Sequence, residues 1–362
     1  MLKSNGKISV RQAFILSILA MLSPTIRIFP NKCAWDAETA AWLTPIAASI
    51  SLIILYSVLS AYFQNKNLKN LDDVFKAALG NAAGKILLIV FLLWFVIILW
   101  LYIRYYAARL SSTIYPNTDV RFFILAMVFL AYFAAKGKIE TFCRFAEIIF
   151  LSFTLVLIIL FIFLLPEVEI GNIYPVTYYD IIPVLKATRN ISPIWGYILL
   201  PFFFGDSIFN KDEIKKFGKQ STIYLVVIST LILITIVGAL GPTVAQRMSF
   251  SFFNAIKVIT FMESFDRFES IMLAIWVAAD FIVITLLLFV ITTIIKNLFS
   301  LSERKYLTTP IAAIGYIGSR YFTVNRFEIE TFTSQFFIYV NIILLYIAPI
   351  AVFLIGKIRK KI

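Results

Sequence analysis

The 362-residue chain is 61% hydrophobic and only 15% charged, with a mean hydropathy of +0.90. Soluble domains carry roughly 45–50% apolar and about 25% charged residues, so a water-soluble fold of this composition is excluded. The net charge of +13 sits in short Lys/Arg clusters between long apolar runs, which argues against a nucleic-acid surface and for a helical membrane protein.

The apolar runs predict ten transmembrane helices, each needing about 20 mostly apolar residues. The first covers roughly 10–30 and contains Ser23-Pro24-Thr25-Ile26-Arg27, with no small-residue cleavage site, so a signal peptide is not expected. The second covers 38–63. Between Asn67 and Gly84 an amphipathic segment places Leu68, Leu71, Val74, Phe75, Ala78 and Leu79 on one face and reads as an interfacial helix. The third span, 85–108, carries Trp94 and Trp100 as packing or interface anchors, and Arg104 beside Tyr102, Tyr105 and Tyr106.

The fourth span is short, at 121–136, and the fifth runs over 144–166. Arg144 and Glu147 near its start are spaced for a structural i, i+3 pair. The sixth, 191–209, holds Pro201-Phe202-Phe203-Phe204-Gly205-Asp206, and the seventh covers 219–241. A second interfacial segment follows from Ser249 to Phe265, with Phe252, Phe253, Ile256, Ile259 and Thr260 at helical spacing. The eighth span, 268–296, has Asp280 at its middle; the ninth is 306–322, and the tenth, 334–356, contains Asn341.

The basic clusters fall on one side of this topology, ending with Lys357-Ile358-Arg359-Lys360-Lys361. By the positive-inside rule both termini are expected in the cytoplasm. Cys33 and Cys143 then lie on opposite faces, so no disulfide between them is expected.

The ten spans form a single transmembrane domain over 1–362 and divide into halves at 10–166 and 191–356. An odd number of helices per half forces the halves into opposite orientations, the arrangement of inverted-repeat transporters. The first helix of each half should then be interrupted near the midplane. Ser23-Pro24-Thr25 and Phe202-Phe203-Phe204-Gly205-Asp206 are the candidate breaks, because proline removes a donor and glycine permits an unwound backbone. A ligand site is expected between them, lined by Ser23, Pro24, Thr25, Arg27, Phe202, Phe203, Phe204, Gly205, Asp206 and Asp280, with the third, eighth and tenth helices closing it.

The plainer readings are a kink at each proline, a snorkelling Arg27, an interfacial Asp206 and phenylalanines that only pack. Asp280 has no interfacial escape and should face the bundle. Asn341 is expected to bond another helix. No His is present, no nucleophile stands beside a base, and there is no Gly-rich phosphate loop or CxxC pair. Neither catalysis, a metal nor a cofactor is therefore expected.

The order of several segments resembles the B-type subunit of spore germinant receptors. These segments are Ile8-Ser9-Val10-Arg11-Gln12, Ser23-Pro24-Thr25-Ile26-Arg27-Ile28-Phe29-Pro30, Ala41-Trp42-Leu43-Thr44-Pro45 and the stretch from Gly137 to Ile148. The Leu165-Pro166-Glu167 to Tyr174-Pro175 loop, Phe204-Gly205-Asp206, and Arg267-Phe268-Glu269-Ser270 leading to Trp276 also fit. The resemblance implies the amino acid–polyamine–organocation permease fold and a place in the spore inner membrane beside A-type and C-type subunits. It also implies binding of a germinant, often an amino acid. One departure is that only Ser207-Ile208-Phe209 separate the Gly-acid pair from a charged run, where the family usually continues the helix. The competing functions are a secondary transporter of amino acids or amines coupled to an ion, and an ion channel or structural subunit.

Overall fold

A computed structural model describes residues 6–65, 67–113, 115, 117–248, 251–257, 268–322 and 326–361. Helix α1 (Val10–Ala37) begins at a capping box in which Ser9 and Gln12 satisfy each other's backbone N–H groups. It lies at the centre of the bundle. From Ala13 to Leu22 every residue is buried, as expected for a helix that is apolar all round. Helices α6 (Ile139–Leu164), α7 (Ile181–Trp195), α8 (Ile214–Leu240) and α11 (Phe268–Leu298) surround it.

The remaining crossings are α2 (Thr44–Tyr62), α4 (Asn81–Thr113), α5 (Val120–Lys136), α12 (Lys305–Tyr321) and a composite final helix. That last crossing comprises α13 (Arg326–Phe332), α14 (Ile338–Ile342) and α15 (Ala348–Ile358), joined by wide π-type turns over Thr333–Phe337 and Ile343–Ile347. Six helices among the described residues are long and apolar enough to cross a membrane. The others are shorter, more polar or wound in pieces.

The two halves repeat one order: two crossings, an interfacial element, then three crossings. In the first half the interfacial element is α3 (Leu71–Leu79), capped by Asn70 and Asp73. The face expected to be apolar is the buried one, with Leu71, Val74, Phe75 and Ala78 fully covered. In the second half its counterparts are α9 (Pro242–Arg247) and α10 (Ser251–Lys257), with Phe252, Phe253 and Ile256 buried. The rest of that predicted segment, including Ile259 and Thr260, lies outside the described residues.

Both chain ends lie at one end of the bundle, called here the terminal end. Strand β1 (Ile8–Ser9) pairs in parallel with β2 (Ile208–Phe209), and Arg359 Nη1 donates to the Ala78 carbonyl at 3.0 Å. That places a cation on the last carbonyls of α3, where the helix dipole favours it.

One expected break is corrected and the other is found. Helix α1 is continuous through Ser23-Pro24-Thr25 and also through Pro30. A proline fits helical φ and removes one donor, and packing on all sides holds the turn closed. Thr25 Oγ1 reinforces it by donating to the Met21 carbonyl at 2.6 Å. The sixth crossing breaks where expected, at Phe204, whose φ of −109° and ψ of 36° leave the helical region, and it is altered earlier too, where α7 gives way at Gly196 to a tight 3-10 winding over Gly196–Ser207. A β-carbon on Gly196 would lie 2.6 Å from Leu345 Cβ, so only glycine allows this junction to pack on the final helix.

Candidate functional site

Asp280, midway along α11, is fully buried. Its carboxylate accepts from the Ser23 hydroxyl of α1 and from Arg109 Nη2 of α4. The Arg109 and Asp280 side chains are each 1% exposed. Trp276, one turn earlier on α11, donates Nε1–H to Ser23 Oγ at 3.2 Å. Its ring lies against the Arg109 guanidinium, with Cζ 4.1 Å from the ring centroid. Four side chains therefore tie three central helices together. A buried ion pair survives only with such added hydrogen bonds and ring contacts, because desolvation opposes it.

A partly open cavity of about 90 Å³ lies one helical turn beyond this cluster along α1 and α4. Arg27 lines it, one helical turn beyond Ser23 on α1, together with Tyr105, one turn before Arg109 on α4. Asn31, Asn190, Pro193 and Thr333 complete much of the wall. The Arg27 guanidinium rests over Tyr105 at 3.7 Å and Tyr102 at 5.6 Å from the ring centroids. Tyr105 Oη is 2.7 Å from Thr333 Oγ1. Asp36 receives Arg189 Nη2 at 3.1 Å and Nδ2 of Asn190, a wall residue, at 2.9 Å, fastening the far end of α1 to α7.

Of the residues expected to form the site, Ser23, Arg27 and Asp280 are brought together. Pro24 and Thr25 are buried beside them, with Thr25 bonded into its own helix. Phe202 and Phe203 instead belong to an aromatic core with Phe14, Phe63, Phe75, Phe91 and Phe95. Phe204 and exposed Asp206 line a second, open cavity of about 500 Å³ at the terminal end. The physical reason is position along the crossing: the Ile198 carbonyl already lies 3.5 Å from Ser17 Oγ, more than a turn before Ser23 on α1, so Phe202–Asp206 fall past the bundle centre. Gly205 is required there by close approach, since a β-carbon would sit 2.6 Å from the Lys69 carbonyl oxygen.

In the second cavity Arg304 donates to the carbonyls of Ala135 and Gly137 at 2.6 and 2.8 Å, capping α5. Burial holds its guanidinium down at about 10. Burial likewise pushes Lys211 down to about 8, where its ammonium donates to the Lys69 carbonyl and lies 4.5 Å from the Phe63 ring centroid. Glu147 accepts from Gln12 Nε2 at 3.1 Å, so its partner is on α1 and not the expected Arg144. Asn341 ties α14 to α4 and α7, accepting from Trp94 Nε1 at 2.7 Å and donating to the Pro193 carbonyl at 3.2 Å.

Sequence reasoning missed Arg109. The third span is expected to end near 108, one residue short of Arg109, whereas α4 runs on to Thr113. The helical spacing Tyr105–Arg109, with Ser112 a turn further, was the available signal.

Ten crossings in two matching halves, with paired charges and a cavity at the centre, define a polytopic membrane protein of the permease kind. The chain belongs to the family described as "Spore germination protein", whose match covers residues 7–327. It is 22% identical over 311 residues to spore germination protein KB of Bacillus subtilis (strain 168), covering 84% of this chain and 82% of that one. Its fold is similar to that of a Na+-coupled sialic acid symporter in a substrate-bound outward-open state. The TM-score there is 0.67 at 13% identity, over 98% of this chain and 80% of the symporter. It is also similar to MhsT in complex with L-phenylalanine, with a TM-score of 0.64 at 13% identity over 96% and 98% of the two chains.

Proposed function

We propose that this protein is the germinant-sensing subunit of a spore germinant receptor and binds a small nutrient, such as an amino acid, in the central cavity. Family membership supports the germination role. The observation that carries the binding role is the partly open cavity lined by the Arg27 side chain, one helical turn from the Ser23–Asp280–Arg109 cluster. Internal polar groups at the meeting of broken and continuous helices are where permease folds hold solutes. In this reading the protein sits in the spore inner membrane with both termini cytoplasmic, beside A-type and C-type subunits.

Spores lacking this gene should lose their response to one nutrient class and keep it for others. Deletion spores that germinate normally with every nutrient tested would remove the receptor role.

A secondary transporter of amino acids or amines is the second reading. It draws support from the symporter-like fold and from the open cavity at the terminal end, which lies on the opposite side of the central cluster from Arg27. Saturable uptake of a labelled amino acid by the purified chain in liposomes would favour transport.

A further inference from the structure

We infer that the Arg27 cavity is a carboxylate site, with Arg27 as the anchor of a small organic acid. This narrows the ligand-binding reading above and rests on it. Arg27 is 7% exposed, and its Nε and Nη1 have no hydrogen-bond partner among the described residues. The tyrosine rings cover the face of the guanidinium. Its N–H groups point along the ring plane, so face contacts leave the edge open to an acceptor. A buried guanidinium with unsatisfied donors is costly, and a carboxylate supplies the bidentate acceptor that matches it.

The continuity of α1 strengthens the assignment. A helix keeps its N–H groups in its own ladder, and a proline within it frees a carbonyl and never a donor. Helix α1 therefore offers the cavity no free backbone donor, and an anion there must be met by a side chain. The other acids nearby are engaged. Asp280 holds Arg109 and Ser23, and Asp36 holds Arg189, Lys186 and Asn190. Glu330 lines the same cavity and has interactions of its own. It is the intramolecular rival for Arg27. Lys32 adds a second cation to the wall. A volume of about 90 Å³ holds several waters or one small solute, well below the roughly 300 Å³ at which drug-sized pockets begin.

The test uses the purified full-length chain in detergent and reads thermal shift against concentration. The probes are the twenty standard amino acids, propionate and lactate, each paired with its primary amide. At least one acid should give a saturable shift, and its amide should bind at least tenfold more weakly. Arg27→Gln should weaken the same acid at least tenfold, and Glu330→Gln should leave it unchanged or tighter. If Arg27→Gln does not purify as a monodisperse species, Arg27→Lys replaces it and should weaken the acid several-fold through loss of the fork geometry.

No saturable shift with any acid, amides that bind as well as acids, or Arg27 variants with unchanged affinity would each overturn the assignment. Because no spores are involved, the outcome is separable from the receptor role. Acid binding through Arg27 in a protein whose deletion leaves germination intact would keep the site and remove the receptor.

Discussion

Asp280 cannot reach an interface, so it persists as a buried acid through what it touches. Arg109 neutralises it, while Ser23 and Trp276 fill further contacts around the pair. Breaking one side of a buried pair leaves an uncompensated charge and costs about 3–5 kcal/mol, whereas replacing both with apolar residues is often neutral. Arg109→Gln and Asp280→Leu should therefore each lower the thermal unfolding midpoint sharply, and Arg109→Met with Asp280→Leu should recover most of the loss. Single variants as stable as the parent would refute this account of the pair. Asp280 was legible in the sequence because a mid-span acid always needs a partner. Arg109 was not, because a cation near the end of a span can equally snorkel to the surface, and nothing local distinguishes the two cases. Asp206 was misplaced for the converse reason: a glycine–acid pair marks an unwound segment and does not say how deep in the membrane it lies.

Helix α3 shows how an element can be read correctly while its chemistry is hidden. Its apolar face is plain in the spacing of Leu71, Val74, Phe75 and Ala78, and the structure buries that face. Asp72 is buried with it, 1% exposed, accepting from Asn297 Nδ2 of α11 at 2.8 Å, while its Oδ1 has no partner among the described residues. Burial lifts its carboxyl from the ordinary 3.8 to about 7; Asn297 and Lys76 oppose the shift, and Asp73 and Asp206 add to it. The folded chain thus keeps a proton that the unfolded chain releases above about pH 4. Stability falls as pH rises through the window from about 4 to about 7 and is level above it. Asp72→Asn should flatten that slope and stabilise most above pH 7, by at most about 4 kcal/mol at roughly 1.4 kcal/mol per pK unit. Unfolding midpoints recorded across this pH range check it, and a parent curve without a downward slope would contradict the buried-acid reading. The prolines of α1 teach the related lesson that a helix breaker acts only where surrounding packing lets the turn open.

For the molecule as a whole, the end that gathers both termini also gathers most of the basic clusters, including Lys211, Lys215, Lys216 and Lys219 before and within the start of α8 and Lys357 to Lys361 at the tail. In the orientation proposed above, which follows the positive-inside rule, that end faces the cytoplasm. Both native cysteines are buried, so a single cysteine introduced at Lys361 should resist a membrane-impermeant maleimide in intact cells and react after permeabilisation. Labelling in intact cells would reverse the orientation.

Hydropathy runs and their charged flanks are local properties. They were enough to mark ten crossings, two interfacial elements and a five-plus-five repeat, because lipid forces every apolar run of sufficient length into a helix. The meeting of particular side chains depends on helix rotation and on rise per residue. Five expected site residues, Phe202 to Asp206, lie away from the centre toward the terminal end, because Ile198 before them already packs on Ser17. Arg109 and Asp280 stand 171 residues apart in the chain. Only the packing of α4 and α11 against α1 brings their charges into contact, and no local pattern in the sequence encodes that distance.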